Sequence, residues 1–348
     1  MKKFSIEKFV RSLTWFFVFL ALGGAIFALV FDIPILLFLP PISVFAMILG
    51  TYGQYHFEKK GMEIEATWPE YMRFTLPRYF FILFPFLCAL GLYAIIDVLL
   101  ETTDLTFFLY FNLIIILFFL VFSFLPWPRI FALVYNAKEM TDRQMLSRIQ
   151  KLTRELGLRA GGTFILSWKS MKVANAFQVG TFSAYSVFLS DYMLSQLEPQ
   201  EVDAIVAHEL AHAKCKHSLK RVLMIMPLTL AGANVIVYLA YYASYYAVPD
   251  AITVVSTLLL SASLFIATPI LSLALSRGFE LKADELAATV LGPEAVISAL
   301  IKLQHLNLAA DDMRKWRRLF SSHPPISLRI QRIRANIRKS SQKRSEVI

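Results

Sequence analysis

The run His208-Glu209-Leu210-Ala211-His212 lies near the middle of the chain and indicates a metal site that other residues of the chain must complete. Four residues of α-helix turn the chain by about 400°, so both imidazoles lie on one helix face and can share a metal ion. Glu209 flanks that position. Three of the six histidines, His208, His212 and His217, fall within ten residues. The pattern is typical of zinc-dependent hydrolysis of amide bonds, and a polar helix face is the alternative interpretation.

The composition around this motif predicts an integral membrane protein. Of the 348 residues, 57% are hydrophobic, 30 are Phe, and the mean hydropathy is +0.57, which is outside the range of soluble globular proteins. The two cysteines, Cys88 and Cys215, form neither a disulfide framework nor a thiolate site with zinc spacing. We therefore expect a mainly α-helical membrane protein whose metal ligands are histidine and carboxylate.

Uncharged apolar runs of spanning length predict about six transmembrane helices. These runs are 12–31, 33–55, 79–100, 105–127, 222–248 and 252–276. They divide the chain into a four-span membrane region, a catalytic part with the motif helix, a two-span hairpin, and a second catalytic part with a basic tail. The boundaries are 1–127, 128–221, 222–276 and 277–348. The spans thus frame a juxtamembrane catalytic domain built from two segments.

The distribution of basic residues predicts the orientation in the membrane. All 35 Lys and Arg residues lie in four segments, 1–11, 56–78, 128–221 and 277–348, which six spans place on one side. By the positive-inside rule, we expect both termini and the catalytic domain to be cytoplasmic, in a multi-pass protein of the cell membrane. The net charge of +10 is then a topology signal, and we expect no nucleic-acid partner.

A third metal ligand is predicted just after the sixth span. The motif helix is expected to begin near Pro199 and to run through Arg221 into the fifth span, and the sixth span returns the chain four residues before Glu280. Glu280 can then complete the site, and Asp284, one turn later, can accept the second ring N–H of a metal-bound histidine. The alternatives are a solvated Glu280 paired with Arg277 or Lys282 and an ordinary surface acid at Asp284.

His217 is not expected to be a ligand. It follows His212 by five residues, which places it about 140° around a continuous helix.

Separate blocks of sequence resemble one known family, the integral-membrane gluzincins that include HtpX and the CaaX prenyl protease. Besides the motif and the Glu280/Asp284 pair, the chain has Asn175-Ala176-Phe177 before the motif and His323-Pro324-Pro325 followed by Arg329 after it, in the family's order. The resemblance covers roughly 135–333. The number of predicted spans is intermediate between the four of HtpX-like proteins and the seven of the CaaX enzyme, so the resemblance implies the mechanism better than the substrate.

A small β-sheet is predicted before the motif. Apolar spacing between 136 and 156 indicates a surface helix, and 163–168, 176–179 and 186–189 have the pattern of short strands. The resemblance implies that Asn175, Ala176 and Phe177 bind an extended substrate at a sheet edge, and a plain core strand is the alternative.

The expected chemistry is metal-assisted peptide hydrolysis with one Zn²⁺ per chain, held by His208, His212 and Glu280. Glu209 is the expected general base, which takes a proton from water and returns it to the leaving amine. His323 or Arg329 is the expected donor to the developing oxyanion, and His323 could instead plug the resting site.

The sequence thus predicts an HtpX-like endopeptidase that contacts the lipid bilayer and cuts membrane-associated or misfolded membrane polypeptides. The alternatives are a CaaX-type protease for lipidated peptides, a catalytically inactive membrane scaffold, and a six-span transporter. A transporter is expected to carry broken or charged helices at the membrane midplane, and a scaffold to have lost a ligand or the base.

Overall fold

The structure is a computed structural model, mainly helical with one small mixed sheet. The residues it describes are 39–61, 63–77, 112–114, 116–117, 126–180, 184–246, 250–307 and 322–345. The mainly α-helical class and the small sheet of the sequence analysis are therefore confirmed. The predicted spans 12–31 and 79–100 lie outside the described residues, and 33–55 and 105–127 lie partly outside them.

The described helices are α1 (Leu39–Gly61), α2 (68–77), α3 (Trp127–Val134), α4 (Arg143–Glu155), α5 (Asp191–Gln196), α6 (Pro199–Lys214), α7 (His217–Tyr245), α8 (Asp250–Leu291), α9 (Pro293–Leu306) and α10 (Ile326–Ser345). The strands are β1 (Lys138–Glu139), β2 (Ala160–Leu166), β3 (Ala176–Gly180) and β4 (Tyr185–Ser190), and a 3₁₀ turn covers Lys169–Met171.

The chain divides into two compact units, of which the first contains α1, α2 and the 3₁₀ turn. Its centre is a buried carboxylate, Glu58, which accepts hydrogen bonds from Gln54 Nε2 at 2.9 Å and from Tyr71 Oη at 3.0 Å. The carbonyl of Ser170 accepts from the backbone N–H groups of Glu65 and Ala66, which ties the turn to this unit.

The second unit contains the sheet and the motif helix. The strand order is β1-β2-β4-β3, with β2 and β4 parallel and the two outer pairs antiparallel. The predicted strands at 163–168, 176–179 and 186–189 correspond to β2, β3 and β4. The two-residue β1, which pairs with Phe164 and Ile165, was not predicted, since two residues are too short to show a strand period.

The motif helix α6 is the central element of the second unit. It is apolar around most of its circumference, so it is buried from several sides, and α4, α9 and α8 pack against it. Its first turn is held by Glu201, which accepts from the Glu198 N–H, from Ser298 Oγ and from Lys302 Nζ at 2.7–2.9 Å. These contacts fix the start of α6 against α9.

The motif helix ends earlier than the sequence predicts. We expected it to run from Pro199 through Arg221 into the next apolar segment, but α6 ends at Lys214 and α7 begins at His217. Lys216 has a φ of 53°, in the left-handed region that ends helices. That conformation of Lys216 ends α6 and redirects the chain.

The predicted spans 222–248 and 252–276 coincide with most of α7 and the first part of α8. In the portions of the chain with described structure, no helix has the combination of length and apolar character that crossing a membrane requires. The four domain boundaries of the sequence analysis stay predictions.

Candidate metal centre

Three side chains from two helices converge on one point. His208 Nε2 lies 3.2 Å from His212 Nε2, and Glu280 Oε2 and Oε1 lie 3.5 Å and 3.4 Å from these two nitrogens. Ligands about 2.1 Å from a tetrahedral zinc ion are separated by roughly 3.4 Å. Two imidazoles and one carboxylate at these separations therefore fit a zinc ion to which each residue gives one ligand atom, with one position left open.

The helices explain why these atoms meet. One turn of α6 brings His208 and His212 to the same face. Helix α8 is unbroken from Asp250 to Leu291 and packs against α6, so the residues that follow 276 stay on the helix and carry Glu280 to the two histidines. Glu280 is only 4% exposed, so the solvated Glu280 of the alternative interpretation is not what the structure has.

Asp284 lies where the sequence predicts it. Its Oδ1 is 2.9 Å from His208 Nδ1, and Arg329 donates from Nε to Oδ2 and from Nη2 to Oδ1, each at 2.6 Å. Burial favours a neutral His208, but hydrogen bonds to Asp284 and Glu280 outweigh it and raise the pKa of His208 to about 10. A metal ion and a proton therefore compete for this ring.

The two glutamates of the site have opposite pKa shifts. Burial opposes ionisation of Glu280, but its contacts with His208, His212 and His323 outweigh burial and lower its pKa. For Glu209, burial dominates over the two neighbouring histidines and raises the pKa. An acid with a raised pKa near the two histidines suits proton transfer, whereas an acid with a lowered pKa suits a ligand.

His323 contacts the third ligand. Its Nδ1 lies 2.7 Å from Glu280 Oε2, and 63% of its side chain remains exposed. It precedes α10, whose first turn carries Arg329, so His323 and Arg329 both reach Glu280 from one segment of the chain. Arg329 is buried, and its Nη1 lies 3.6 Å from Glu280 Oε2.

The Asn175-Ala176-Phe177 stretch lies where β3 begins. Ala176 begins β3, which packs against α6 and, in the described part of the sheet, has a partner strand only on its β4 side. Phe177 stacks on Phe188 with ring centroids 5.1 Å apart. Its ring therefore belongs to the aromatic packing of the sheet.

His217 lies in a place that its sequence position did not predict. This side chain is 2% exposed, and its Nδ1 is 2.9 Å from His212 Nδ1. Its ring stacks on Phe279, with centroids 4.4 Å apart and an interplanar angle of 8°. Burial, followed by the charge of His212, lowers the pKa of His217 to about 4, so the ring is neutral at pH 7. The clustering of three histidines was the signal that could have indicated it.

Comparisons with known proteins agree with this geometry. Residues 139–337 match the description Peptidase family M48. A protein named Protease HtpX homolog from Thermococcus kodakarensis is 29% identical over 252 residues, which is 64% of this chain and 85% of that protein. The CAAX prenyl protease 1 homolog of Oryza sativa subsp. japonica is 25% identical over 214 residues, covering 59% of this chain and 50% of that protein.

A solved structure shares the fold. The crystal structure of S. mikatae Ste24p superposes with a TM-score of 0.70 at 19% identity, over 85% of this chain and 74% of that one. The matched family segment spans more than half of the chain and contains the whole metal centre. The chain belongs to peptidase family M48 and is a metallopeptidase of the HExxH type.

Proposed function

We propose that this protein is a zinc-dependent endopeptidase embedded in a membrane, with one zinc ion per chain held by His208, His212 and Glu280. The observation that carries the proposal is the convergence of two imidazole Nε2 atoms, 3.2 Å apart, with the Glu280 carboxylate, which places one oxygen 3.5 Å from His208 Nε2 and the other 3.4 Å from His212 Nε2. The donor set fits zinc, and all three ligands together with the acid are present. That argues against an inactive scaffold.

A zinc ion held by these residues would lower the pKa of its bound water to about 7 and would act as a Lewis acid on the scissile carbonyl. Glu209 takes the proton of the attacking water and passes it to the leaving amine, and its raised pKa makes it a better proton donor in the second step. Asp284 holds His208 through Nδ1, and Arg329 holds Asp284 through two hydrogen bonds.

We assign the oxyanion donor to His323 rather than to Arg329. Arg329 directs two of its three nitrogens to Asp284, whereas His323 keeps most of its side chain exposed at the mouth of the site. The contact between His323 and Glu280 at 2.7 Å also supports the alternative role, in which His323 plugs the resting site. A His323→Phe variant separates these roles, since lost turnover supports stabilisation and increased turnover supports a plug.

The membrane setting is supported by the 57% hydrophobic composition and by exposed apolar side chains on α7 and α8. Among these are Val222, Leu223, Val255 and Leu259, each at least half exposed. We propose six spans with both termini and the metal centre cytoplasmic, in the cell membrane. Accessibility tags at the N-terminus, Gly61, Arg159 and the C-terminus are expected on the cytoplasmic side, and tags at Asp104 and Asp250 outside. An outward tag at Arg159 would contradict this topology.

The substrate is proposed to be a membrane-associated or misfolded membrane polypeptide, since the more similar relatives carry the name HtpX homolog. An extended segment would bind along β3 near Asn175, Ala176 and Phe177. The rice relative's name and the fold shared with Ste24p favour a second candidate, the processing of lipidated CaaX peptides. Purified protein given a prenylated peptide and an unfolded membrane protein in liposomes would discriminate the two.

The deciding experiment is Glu209→Gln, which keeps size and helix but removes the base. Cleavage of a membrane-protein substrate should fall by about 100-fold to 10,000-fold, while zinc content stays at the parental value. The matched control is Glu285→Gln, an exposed acid paired with Lys282 on α8, which should cleave like the parent. Parental activity in Glu209→Gln, in a preparation free of other proteases, would refute the proposal.

A further inference from the structure

The two ligand histidines are supported differently on the side that faces away from the metal centre. His208 Nδ1 lies 2.9 Å from the Asp284 carboxylate, whereas His212 Nδ1 lies 2.9 Å from another ring nitrogen, His217 Nδ1. An imidazole pair of this kind has stricter hydrogen-bonding rules than a pair with a carboxylate, because each neutral ring has one donor and one acceptor.

The interruption of the helix between α6 and α7 produces this contact. In a continuous helix His217 would point about 140° away from His212. Because α6 ends at Lys214 and Lys216 takes a φ of 53°, the chain turns and the His217 ring returns to His212. A further contact fixes the ring from α8, where Phe279 stacks on it almost in parallel. Phe279 immediately precedes the third ligand, Glu280.

The direction of the hydrogen bond follows from the ligand geometry. His212 Nε2 lies 3.2 Å from His208 Nε2 and 3.4 Å from Glu280 Oε1, so Nε2 is the atom that faces the metal position. A histidine that offers the Nε2 lone pair to a metal carries its proton on Nδ1. His212 Nδ1 must therefore donate, and His217 Nδ1 must accept with its own proton on Nε2.

We propose that His217 is a positioning residue that holds His212 in the Nδ1–H tautomer and directs its Nε2 towards the metal. The proposal rests on the zinc site of the proposed function and adds a residue to it. His217 does for His212 what Asp284 does for His208, and its stacking on Phe279 couples the orientation of a ligand on α6 to the segment of α8 that carries Glu280.

The tautomer can be measured directly. In zinc-loaded protein labelled with ¹⁵N-histidine, the signals of six histidines are resolvable, and the His217 signal is the one that disappears in His217→Asn. We expect an unprotonated Nδ1 and a protonated Nε2 on His217. A proton on His217 Nδ1 would overturn the proposal, since that nitrogen could not accept from His212.

Two substitutions separate the hydrogen bond from the packing. His217→Phe keeps a ring against Phe279 but has no acceptor, and His217→Asn loses the ring but places an amide oxygen where Nδ1 was. By competition with a chromophoric chelator, zinc affinity should fall by about 10-fold to 100-fold in His217→Phe and return to within a few-fold of the parent in His217→Asn. Equal affinity in parent and Phe variant, or an Asn variant as weak as the Phe variant, would overturn the proposal.

These readouts need no peptide substrate, so they separate this proposal from the wider one. A parent that binds no zinc would defeat both the proposed function and the role of His217. A parent that binds zinc tightly together with a His217→Phe variant that binds it equally well would defeat only the role of His217. Should His217→Phe fail to fold, the tautomer of His217 in the parent still decides the question.

Discussion

Arg329 and Asp284 form a bidentate ion pair in which Nε donates to Oδ2 and Nη2 to Oδ1, both at 2.6 Å. The same Oδ1 lies 2.9 Å from His208 Nδ1. Arg329 therefore contacts the carboxylate that lies against His208 of the candidate metal centre, and this ion pair ties α10 to α8. The planar guanidinium fits a carboxylate with two parallel bonds, which a lysine ammonium cannot reproduce.

Substituting Arg329 should destabilise the fold as well as the site. Both partners are buried, so Arg329→Met removes two hydrogen bonds and the guanidinium charge from Asp284, leaves His208 as its remaining cationic partner, and should cost about 3–5 kcal/mol in the free energy of unfolding. Arg329→Lys should lose less, because it retains the charge. Thermal unfolding in detergent and zinc content measure the two effects.

The control for Arg329 is Arg332→Met, an exposed arginine three residues along α10. It should unfold within about 0.5 kcal/mol of the parent. If Arg329→Met were equally harmless, the bidentate pair would not be a structural element of the protein.

The ligands and their supporting acid should be separable by metal affinity. Glu280→Ala removes a ligand and should abolish stoichiometric zinc binding, whereas Asp284→Asn should weaken it by about 10-fold to 100-fold, since Asp284 acts through His208. Titration with a chromophoric chelator compares the two. Unchanged zinc affinity in Glu280→Ala would remove Glu280 from the metal centre.

The ligand set could be predicted because it depends on local periodicity. The i, i+4 spacing of His208 and His212 fixes their common face whatever the tertiary context. The same periodicity places Glu280 and Asp284 one above the other on α8, and the return of the apolar hairpin brings them to α6. These steps use helix geometry and the connection of the two apolar segments, and the structure brings the three side chains close together. That they bind a metal ion stays a prediction.

The place of His217 could not be predicted in the same way. Its position depends on one non-glycine residue, Lys216, taking a left-handed conformation, which local sequence rarely announces. The engagement of Arg329 with Asp284 is also tertiary, since it joins residues 45 positions apart. The family resemblance indicated that Arg329 matters, but only the packing of α10 shows which group it contacts.

Lowering the pH should weaken the contacts through which Glu201 holds the first turn of α6 against α9. Burial would raise the pKa of Glu201, but hydrogen bonds from Lys302, Ser298 and the Glu198 N–H outweigh it and lower the pKa below the ordinary 4.5. Folding therefore favours the charged form of Glu201. The stabilisation that this carboxylate gives the fold is present above about pH 4.5 and is lost as the pH falls through its lowered pKa.

Lys302→Met should remove part of this contribution. We expect a loss of about 1 kcal/mol at pH 7, a modest value because the lysine is partly exposed, and a smaller difference from the parent below about pH 4. Unfolding curves at several pH values measure it. Lys282→Met, which breaks an exposed pair with Glu285, is the control and should change little at any pH. A Lys302→Met deficit that does not depend on pH would contradict the electrostatic explanation.

The interruption between α6 and α7 depends on the backbone conformation of Lys216, which is exposed and has a φ of 53°. A β-branched side chain is disfavoured in this conformation, so Lys216→Ile should destabilise the protein by about 1–2 kcal/mol and, by straightening the chain, should draw His217 away from His212. Lys216→Gly should match or slightly exceed the parent in stability, because glycine adopts this φ without strain.

Lys220→Ile, an exposed site inside α7, is the matched control, since isoleucine in a regular helix costs well under 1 kcal/mol. Thermal unfolding and zinc affinity should therefore fall together in Lys216→Ile alone. Equal stability and zinc affinity in Lys216→Ile and Lys220→Ile would mean that one continuous helix runs through this region, with His217 on its far side.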